Sequence, residues 1–166
     1  MNLTAHLIET PRDVECLRCI RNITRQGYSN HNALVSPSEQ AAWWAANQER
    51  VRAWLYFEAD QHLAGFGLLR LADDGYWRTV VGVLPGFEGR GYGKWITRDI
   101  VAKAPGGCRA TARRDNPAAV KLHVEDDWRV VEGPDPRLVY FETHDRLAVA
   151  AVTRPFDSDV REDCRA

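Results

Sequence analysis

The stretch LPGFEGRGYGK, Leu84 to Lys94, places four glycines and one proline within eleven residues. It follows the apolar run YWRTVVGV and precedes a helical pattern that begins near Trp95. A strand, a glycine-rich loop and a helix in this order are typical of a phosphate site. Glycines let the backbone approach an anion, and the first N–H groups of a helix have no internal partner. Because Arg90 and Lys94 add positive charge, the stretch predicts a phosphate-binding turn.

The spacing of the glycines excludes two common phosphate motifs. A P-loop requires Ser or Thr after its Gly-Lys pair, whereas Trp95 follows Gly93-Lys94. A dinucleotide-binding fingerprint requires G-x-G-x-x-G, whereas Gly89, Gly91 and Gly93 are each two residues apart. The loop is therefore either a phosphate-binding turn of another kind or an ordinary turn that is rich in glycine.

Length and composition narrow the class of protein. The 166 residues, 45% of them hydrophobic, fit a single domain over residues 1–150, with a charged segment over 151–166 that we expect to be a flexible tail. A net charge of −1 disfavours nucleic acid as a partner. The apolar runs are too short to span a membrane and no signal peptide is visible, so we expect a cytoplasmic protein with no membrane partner. Cys16 and Cys19 have metal-knuckle spacing without a second pair, so we predict no metal site.

Hydrophobic periodicity and turn signals predict the order β-α-α-β-β-β-loop-α-β-α-β-β. Ser36, Pro37 and Glu39 give a strong helix start, because Ser can cap the helix and Glu completes a capping box. Three strands in a meander precede one strand–helix–strand crossover. The fold class is therefore α/β (α+β), with a mixed, mostly antiparallel sheet of about six or seven strands flanked by about four helices.

Two segments resemble the signatures of the GCN5-related N-acetyltransferase (GNAT) superfamily. The run Glu88-Gly89-Arg90-Gly91-Tyr92-Gly93 is similar to its acetyl-CoA loop, Gln/Arg-x-x-Gly-x-Gly/Ala. The segment from Asn116 to His123, followed by Trp128, resembles its second signature, and the resemblance spans roughly residues 3 to 143. Glu88 stands where Gln or Arg is usual, and His123 stands where the family often has Tyr.

The resemblance implies an acetyl-CoA-dependent N-acetyltransferase in which a primary amine attacks directly within a ternary complex. It implies that a backbone N–H of Val83 or Leu84, at a bulge in the strand, stabilises the charge on the thioester oxygen. It implies that His123 protonates the departing thiolate. The cofactor contacts that it implies are Val83, Leu84, Gly89, Arg90, Gly91, Tyr92, Gly93, Lys94 and Asn116.

The resemblance also places the acceptor beside the first two helices and the loop between them, from Gln26 to Val35. The candidate acceptor contacts are Tyr28, Asn30, His31, Trp77 and Tyr140. The strand before the glycine loop carries no carboxylate, so the general base is not evident. The candidates for it are Glu58, His31, Tyr140, Glu142 and a chain of waters.

The acceptor class stays open at this point. Arg21-Asn22 and the pattern Ser36…Glu39…Trp43 loosely resemble the amino-sugar and nucleotide-sugar branch of the family, which favours a small-molecule amine. The alternatives are acetylation of a protein or peptide, acyl transfer to a modified nucleobase, and a non-catalytic acyl-CoA-binding module. Sheet-edge dimers are common among such proteins, so a homodimer is one expected state. The identity of the acyl group also stays open.

Overall fold

The computed structural model describes residues 3–28 and 33–143. Asn30 and His31, which were predicted to contact the acceptor, and the predicted C-terminal tail lie outside the described residues. The elements in chain order are β1 Thr4–Leu7, α1 Pro11–Thr24, α2 Pro37–Asn47, β2 Val51–Phe57, β3 Leu63–Leu71, β4 Trp77–Val83, α3 Tyr92–Lys103, β5 Cys108–Arg113, α4 Pro117–Glu125, β6 Arg129–Val131 and β7 Leu138–Glu142. A 3-10 turn, Arg25–Gly27, continues α1. The predicted order of elements and the mixed sheet are confirmed.

Reciprocal hydrogen bonds fix the starts of the first two helices. At α2, the Ser36 hydroxyl accepts from the Glu39 N–H at 3.3 Å, and the Glu39 carboxylate accepts from the Ser36 N–H at 2.7 Å. Thr10 and Asp13 form the same arrangement at α1. Each capping box satisfies two N–H groups that would otherwise lack a partner. The predicted start of α2 is therefore confirmed in its details.

The seven strands form one sheet in the order β1-β2-β3-β4-β5-β7-β6. All neighbours are antiparallel except β4 and β5, which the crossover through α3 makes parallel. The parallel register pairs only Trp77 with Cys108 and Arg78 with Arg109. Because β4 continues to Val83 and β5 to Arg113, the two strands diverge beyond these pairs. The divergence opens the middle of the sheet.

Two hydrophobic clusters cover the two faces of the sheet. Leu17 and Ile20 of α1 pack with Phe66 on one face, and Ile96 and Ile100 of α3 pack with Phe141 and other residues on the opposite face. Alternate residues of a strand point to opposite faces, so β4 contributes to both clusters. The opening between β4 and β5 therefore connects the α1/α2 face with the α3/α4 face. None of the helices in the described ranges is long and apolar enough to cross a bilayer.

A glycine in β3 permits the close approach of α3. A Cβ at Gly67 would lie 2.6 Å from Ile100 Cγ2 and 2.9 Å from Ile96 Cγ2, inside the normal contact distance. Both isoleucines are fully buried, so neither can move aside into solvent. Gly67 therefore sets how closely the helix that follows the glycine loop packs on the sheet.

We expect Gly67→Ala to lower the free energy of unfolding by about 1–3 kcal/mol, because the added methyl overpacks the contact with α3. Gly106→Ala is the matched control, since its nearest atom would be Trp77 Cδ1 at 4.0 Å. Urea denaturation followed by circular dichroism measures both variants. Equal stability of the two variants would contradict the assigned helix–sheet contact.

Candidate active site

A cleft of about 550 Å³ occupies the opening between β4 and β5. Thr24 and Tyr28 line it from the α1 side, and Gly93 and His123 line it from the α3 and α4 side. The cleft thus passes through the sheet and has one mouth on each face. Its volume falls within the usual range for small-ligand sites.

Backbone N–H groups of β4 point into this opening. The Leu84 N–H donates to Ala64 O at 2.8 Å, so that amide faces β3. Successive amides of a strand face opposite edges, so the N–H groups of Val83 and Val81 face the side from which β5 has diverged. Of the two predicted donors, Val83 is therefore the one directed into the cleft, and the Leu84 amide is already engaged.

The Val83 amide is not exposed by a bulge, which the resemblance had implied. The register between β3 and β4 runs without a shift from Leu71↔Trp77 to Gly65↔Val83. The early divergence of β5 leaves the edge of β4 open instead. The sequence could have indicated Val81 as well, because it stands two residues before Val83 and shares its edge.

The glycine loop has a backbone conformation that residues with a Cβ atom rarely adopt. Gly86, Gly89 and Gly91 have φ values of 87°, 72° and 80°. Gly91 is the N-cap of α3, and no side chain caps that end. The first N–H groups of α3 therefore lack a side-chain acceptor in this structure, and the helix dipole adds partial positive charge at the same place. This end of α3 suits a phosphate.

The cations predicted for the loop already have carboxylate partners. Arg90 Nη1 lies 3.3 Å from Glu58 Oε1, and the Tyr92 hydroxyl also donates to Glu58. Lys94 Nζ lies 3.3 Å from Glu125 Oε2 and 3.4 Å from Asp126 Oδ1. A phosphate at the loop would therefore share each of these cations with its carboxylate partner or displace that carboxylate.

Glu88 lines the cleft as an exposed carboxylate. Arg90 and Lys94 each pair with other carboxylates, so the structure does not show either of them neutralising it. Exposure to solvent weakens its repulsion of a phosphate, because water screens the charge.

Asn116 joins the start of α4 to the end of α1. Its side-chain oxygen accepts from the Ala119 N–H at 3.2 Å, and its Nδ2 donates to Gly27 O at 3.5 Å. Asn116, Gly27 and Ala119 all line the cleft. The predicted cofactor residue therefore lies at the cleft, where it holds the two faces of the site together.

His123 is buried between two aromatic rings at the α4 wall of the cleft. Its ring stacks on Phe141 at 4.7 Å and meets Trp128 edge-on at 4.9 Å. His123 Nδ1 lies 2.8 Å from Ala119 O, which can only accept, so Nδ1 carries the proton. The neutral ring then has a lone pair on Nε2. Burial lowers the pKa of His123 below its ordinary value of 6.5, while the Ala119 carbonyl and Asp126 oppose the shift. The side chain is therefore mainly neutral at pH 7.

Tyr28 lies at the α1/α2 mouth of the cleft. The Thr24 hydroxyl donates to Ile20 O at 2.9 Å, so the Tyr28 hydroxyl donates to Thr24 Oγ1 at 2.5 Å. Burial raises the pKa of Tyr28 to about 12. Tyr28 therefore stays protonated at neutral pH and can shape the acceptor site without acting as a base.

Two of the predicted acceptor contacts pack elsewhere. Trp77 is 8% exposed in the core on the α3 face and does not line the cleft. It is the first residue of β4 and its side chain points away from the α1/α2 mouth. Tyr140 is 5% exposed, its hydroxyl accepts from the Asp135 N–H at 3.0 Å, and its ring fills the space beside Gly133. Both side chains serve packing, which their apolar surface favours.

The proposed bases also lie away from the cleft. Glu58 is engaged by the glycine loop, and Glu142 is 3% exposed and bonds Arg109 Nε at 2.7 Å. Neither they nor Tyr140 line the cleft. In the described part of the cleft wall, His123 and Glu88 are the only imidazole and carboxylate side chains.

Sequence reasoning did not assign Arg70 or Arg109 to the site, although it did consider Arg21 and Arg78. Arg21, Arg70 and Arg109 line the cleft together with Arg78. Strand alternation alone indicates the face of each side chain, but the register that brings them together is not visible in the sequence.

The sequence profile of the acetyltransferase (GNAT) family matches residues 17–125, more than half of the chain. The chain belongs to this family. The family's cofactor is acetyl-CoA, and the predictions of family, enzyme class and cofactor are confirmed. A comparison with curated protein sequences finds no significant match.

Solved GNAT structures share the fold. The yncA protein of Salmonella typhimurium, solved with its cofactor acetyl-CoA, is 17% identical, with a TM-score of 0.73 over 92% of this chain and 99% of that chain. A spermidine N-acetyltransferase of Vibrio cholerae, solved with CoA and spermine, is 13% identical, with a TM-score of 0.69 over 84% and 92%. An acetyltransferase of Thermus thermophilus is 18% identical, with a TM-score of 0.69 over 87% and 97%. The predicted fold class is confirmed.

The residues present fit acetyl-CoA. The uncapped start of α3 behind Gly91 suits the pyrophosphate, and the outward amides of Val81 and Val83 suit the thioester. The cleft between them is continuous along one edge of β4. The GNAT signature and the geometry therefore agree on the cofactor.

We expect Gly91→Ala to raise the acetyl-CoA Kd about tenfold, because a left-handed residue with a Cβ is strained by about 1–2 kcal/mol and the loop must shift to relieve it. Gly75→Ala is the matched control, since its φ of 83° is nearly the same but lies in the turn before β4. Isothermal titration calorimetry should show weaker binding for Gly91→Ala alone. An equal loss in both variants would contradict a specific role for the loop.

We expect His123 to titrate below 6.5 and to carry its neutral proton on Nδ1. Burial disfavours the charged ring, so the folded state binds fewer protons than the unfolded state. Its contribution to stability is therefore full above pH 6.5 and falls as the pH drops toward the folded-state pKa. Long-range ¹H–¹⁵N spectra across a pH titration report both properties. A proton on Nε2 at pH 7, or a pKa above 6.5, would contradict the assignment.

Proposed function

We propose that this GNAT enzyme transfers the acetyl group of acetyl-CoA to the primary amine of a small molecule. The observation that carries the proposal is the cleft through the sheet. Outward amides and an uncapped helix start lie at one mouth, and polar side chains lie at the other. An amine that enters from the α1/α2 face can meet a thioester that lies along β4 from the α3/α4 face.

In this proposal, acetyl-CoA is bound mainly by backbone groups of the protein. Gly89 to Lys94, with the start of α3, hold the pyrophosphate, and Asn116 orders the wall beside the arm of the cofactor. When bound, acetyl-CoA supplies an acetyl group activated as a thioester. The Val83 N–H, with the Val81 N–H on the same edge, stabilises negative charge that develops on the carbonyl oxygen.

His123 carries the proton in this proposal. At pH 7 its Nε2 has a lone pair, so the ring must gain a proton before it can act as an acid. His123 Nε2 accepts the proton that the amine nitrogen releases as the new N–C bond forms. The same nitrogen then gives that proton to the sulfur as the C–S bond breaks, so no external acid is needed.

The dimensions of the cleft favour a small acceptor over a peptide. A cleft of about 550 Å³ is in the range that encloses drug-sized ligands. Tyr28 and Trp43 narrow the α1/α2 mouth, and Arg21 lies over the Trp43 ring at 5.6 Å. An amino sugar or a nucleotide-linked amine fits this description, and the spermidine N-acetyltransferase shows that the same fold accepts a small amine.

The test follows free thiol release from acetyl-CoA with a panel of small amines, peptides and modified nucleosides. Loss of the proton carrier lowers such rates by about 10²–10⁴-fold, so we expect this loss in kcat for His123→Gln. His62→Gln is the matched control, because His62 is an exposed histidine in the turn after β2.

Binding of acetyl-CoA without turnover on any amine would indicate an acyl-CoA-binding module instead. Turnover on peptides alone would refute the small-molecule acceptor. Full activity of His123→Gln would remove the proton-carrier role and leave a water chain as the route of the proton.

A further inference from the structure

Asp126 links the end of α4 to the first two turns of α3. It caps the C-terminal end of α4, and its backbone N–H donates to His123 O at 3.2 Å. Its Oδ1 atom lies 3.4 Å from Lys94 Nζ and accepts from Arg98, at 3.0 Å from Nε and 2.7 Å from Nη2. Lys94 and Arg98 are four residues apart, so one face of α3 presents both cations to the same oxygen.

The second oxygen of this carboxylate is buried without a hydrogen bond. The Asp126 side chain is 4% exposed, and no donor of the described residues reaches Oδ2. Solvent and salt screen a buried charge much less than an exposed one, so it acts on titratable groups nearby. His123, three residues earlier, is the buried imidazole of the cleft wall. Asp126 can therefore influence His123 without contacting its ring.

The charge of Asp126 does act on this ring. Burial lowers the pKa of His123, and the Ala119 carbonyl and the Asp126 carboxylate oppose the shift. Among the described residues, Asp126 is the charged group that contributes to this shift. The other charged side chains on the elements around His123 include Lys94 and Arg98 on α3, Arg109 on β5, Lys121 and Glu125 on α4, Arg129 on β6, Glu142 on β7, and Glu88 in the glycine loop.

The two cations that bind Asp126 differ in their relation to the cofactor. The proposed function assigns Lys94 to the pyrophosphate, and its contact with Asp126 is the longer one. Arg98 makes two bonds to Oδ1, is 63% exposed and does not line the cleft. When Lys94 turns to a phosphate, Arg98 therefore still holds the carboxylate in place. The negative charge of Asp126 is then less neutralised than in the cofactor-free protein.

We propose that Asp126 is a positioning residue, whose carboxylate stabilises the protonated ring of His123 during acetyl transfer, and more so once Lys94 has turned to the cofactor phosphate. This inference rests on the proposed function. There, His123 Nε2 accepts the proton of the amine as the N–C bond forms and gives it to sulfur as the C–S bond breaks. A nearby carboxylate favours the imidazolium that exists between these two events. His123 is thus a better proton acceptor with the cofactor bound than without it.

Asp126→Asn removes the charge and nearly keeps the size of the side chain. We expect the pKa of His123 to fall, because the imidazolium loses a stabilising negative charge. Long-range ¹H–¹⁵N spectra across a pH titration measure this pKa in the cofactor-free protein. Glu125→Gln is the matched control, since Glu125 also pairs with Lys94, at 3.3 Å, but does not contribute to the pKa shift of His123. The pKa of His123 should stay at the parent value in this control.

Arg98→Gln should change the same pKa in the opposite direction. Loss of the guanidinium leaves the charge of Asp126 less neutralised, so the pKa of His123 should rise. Because Arg98 is largely exposed, this variant removes no core packing and remains informative if Asp126→Asn does not fold. General loosening of α4 cannot explain a fall in one variant and a rise in the other. An unchanged pKa of His123 in both variants would overturn the role of Asp126.

CoA tests the coupling to the cofactor, because it carries the pyrophosphate but no acetyl group to transfer. We expect saturating CoA to raise the pKa of His123 in the parent protein. The rise should be smaller in Asp126→Asn, where Lys94 has no carboxylate at this position to release. Equal rises in the two proteins would overturn the coupling through Lys94.

The pH dependence of kcat separates this inference from the proposed function. It is measured with saturating acetyl-CoA and the most reactive amine of the panel, and its acid limb reports the protonation of His123. We expect Asp126→Asn to move this limb to lower pH and to lower kcat by about tenfold, less than removal of the proton carrier does. A lower kcat with an unmoved limb would indicate a merely structural role and overturn the inference. Absence of turnover with every amine would refute the proposed function, whereas the CoA titration would still report the effect of Asp126 on His123.

Discussion

The divergence of β4 and β5 after Arg78 and Arg109 is the constraint on which the site depends. A parallel pair that continued to Val83 would use the outward amides of β4 as ladder donors and close the sheet. Since the pairing stops after two residues on each strand, those amides remain directed into a cleft. The crossover through α3 makes the two strands parallel, and the same helix begins at the glycine loop. The topology thus places the outward amides of β4 and the uncapped start of α3, which are the proposed thioester and phosphate sites, along one strand edge.

Much of the fold is encoded locally, and the sequence predicted it for that reason. The capping box at Ser36 and Glu39 and the glycine loop each act over a few residues, so their meaning does not depend on distant contacts. The order of elements and the family followed from these signals. The Val83 amide could also be anticipated, because its place before the loop is a local property.

The acceptor side of the site depends on long-range register, and the sequence predicted it less well. Trp77 and Tyr140 have the chemistry of acceptor contacts, yet strand pairing directs Trp77 into the core and the β6–β7 hairpin uses Tyr140 to cover Gly133. Arg70, Arg78 and Arg109 are far apart in sequence and meet only because three strands align them. No periodicity within one element can reveal such a row.

The absence of an evident general base fits the proposed role of His123. An amine must be neutral to attack, and the carboxylate in the described part of the cleft wall is Glu88, which belongs to the glycine loop. Because the buried His123 ring is neutral and carries its proton on Nδ1, its Nε2 has to accept only the proton that is released during attack. A strong base is then unnecessary for an acceptor that enters the cleft as the neutral amine.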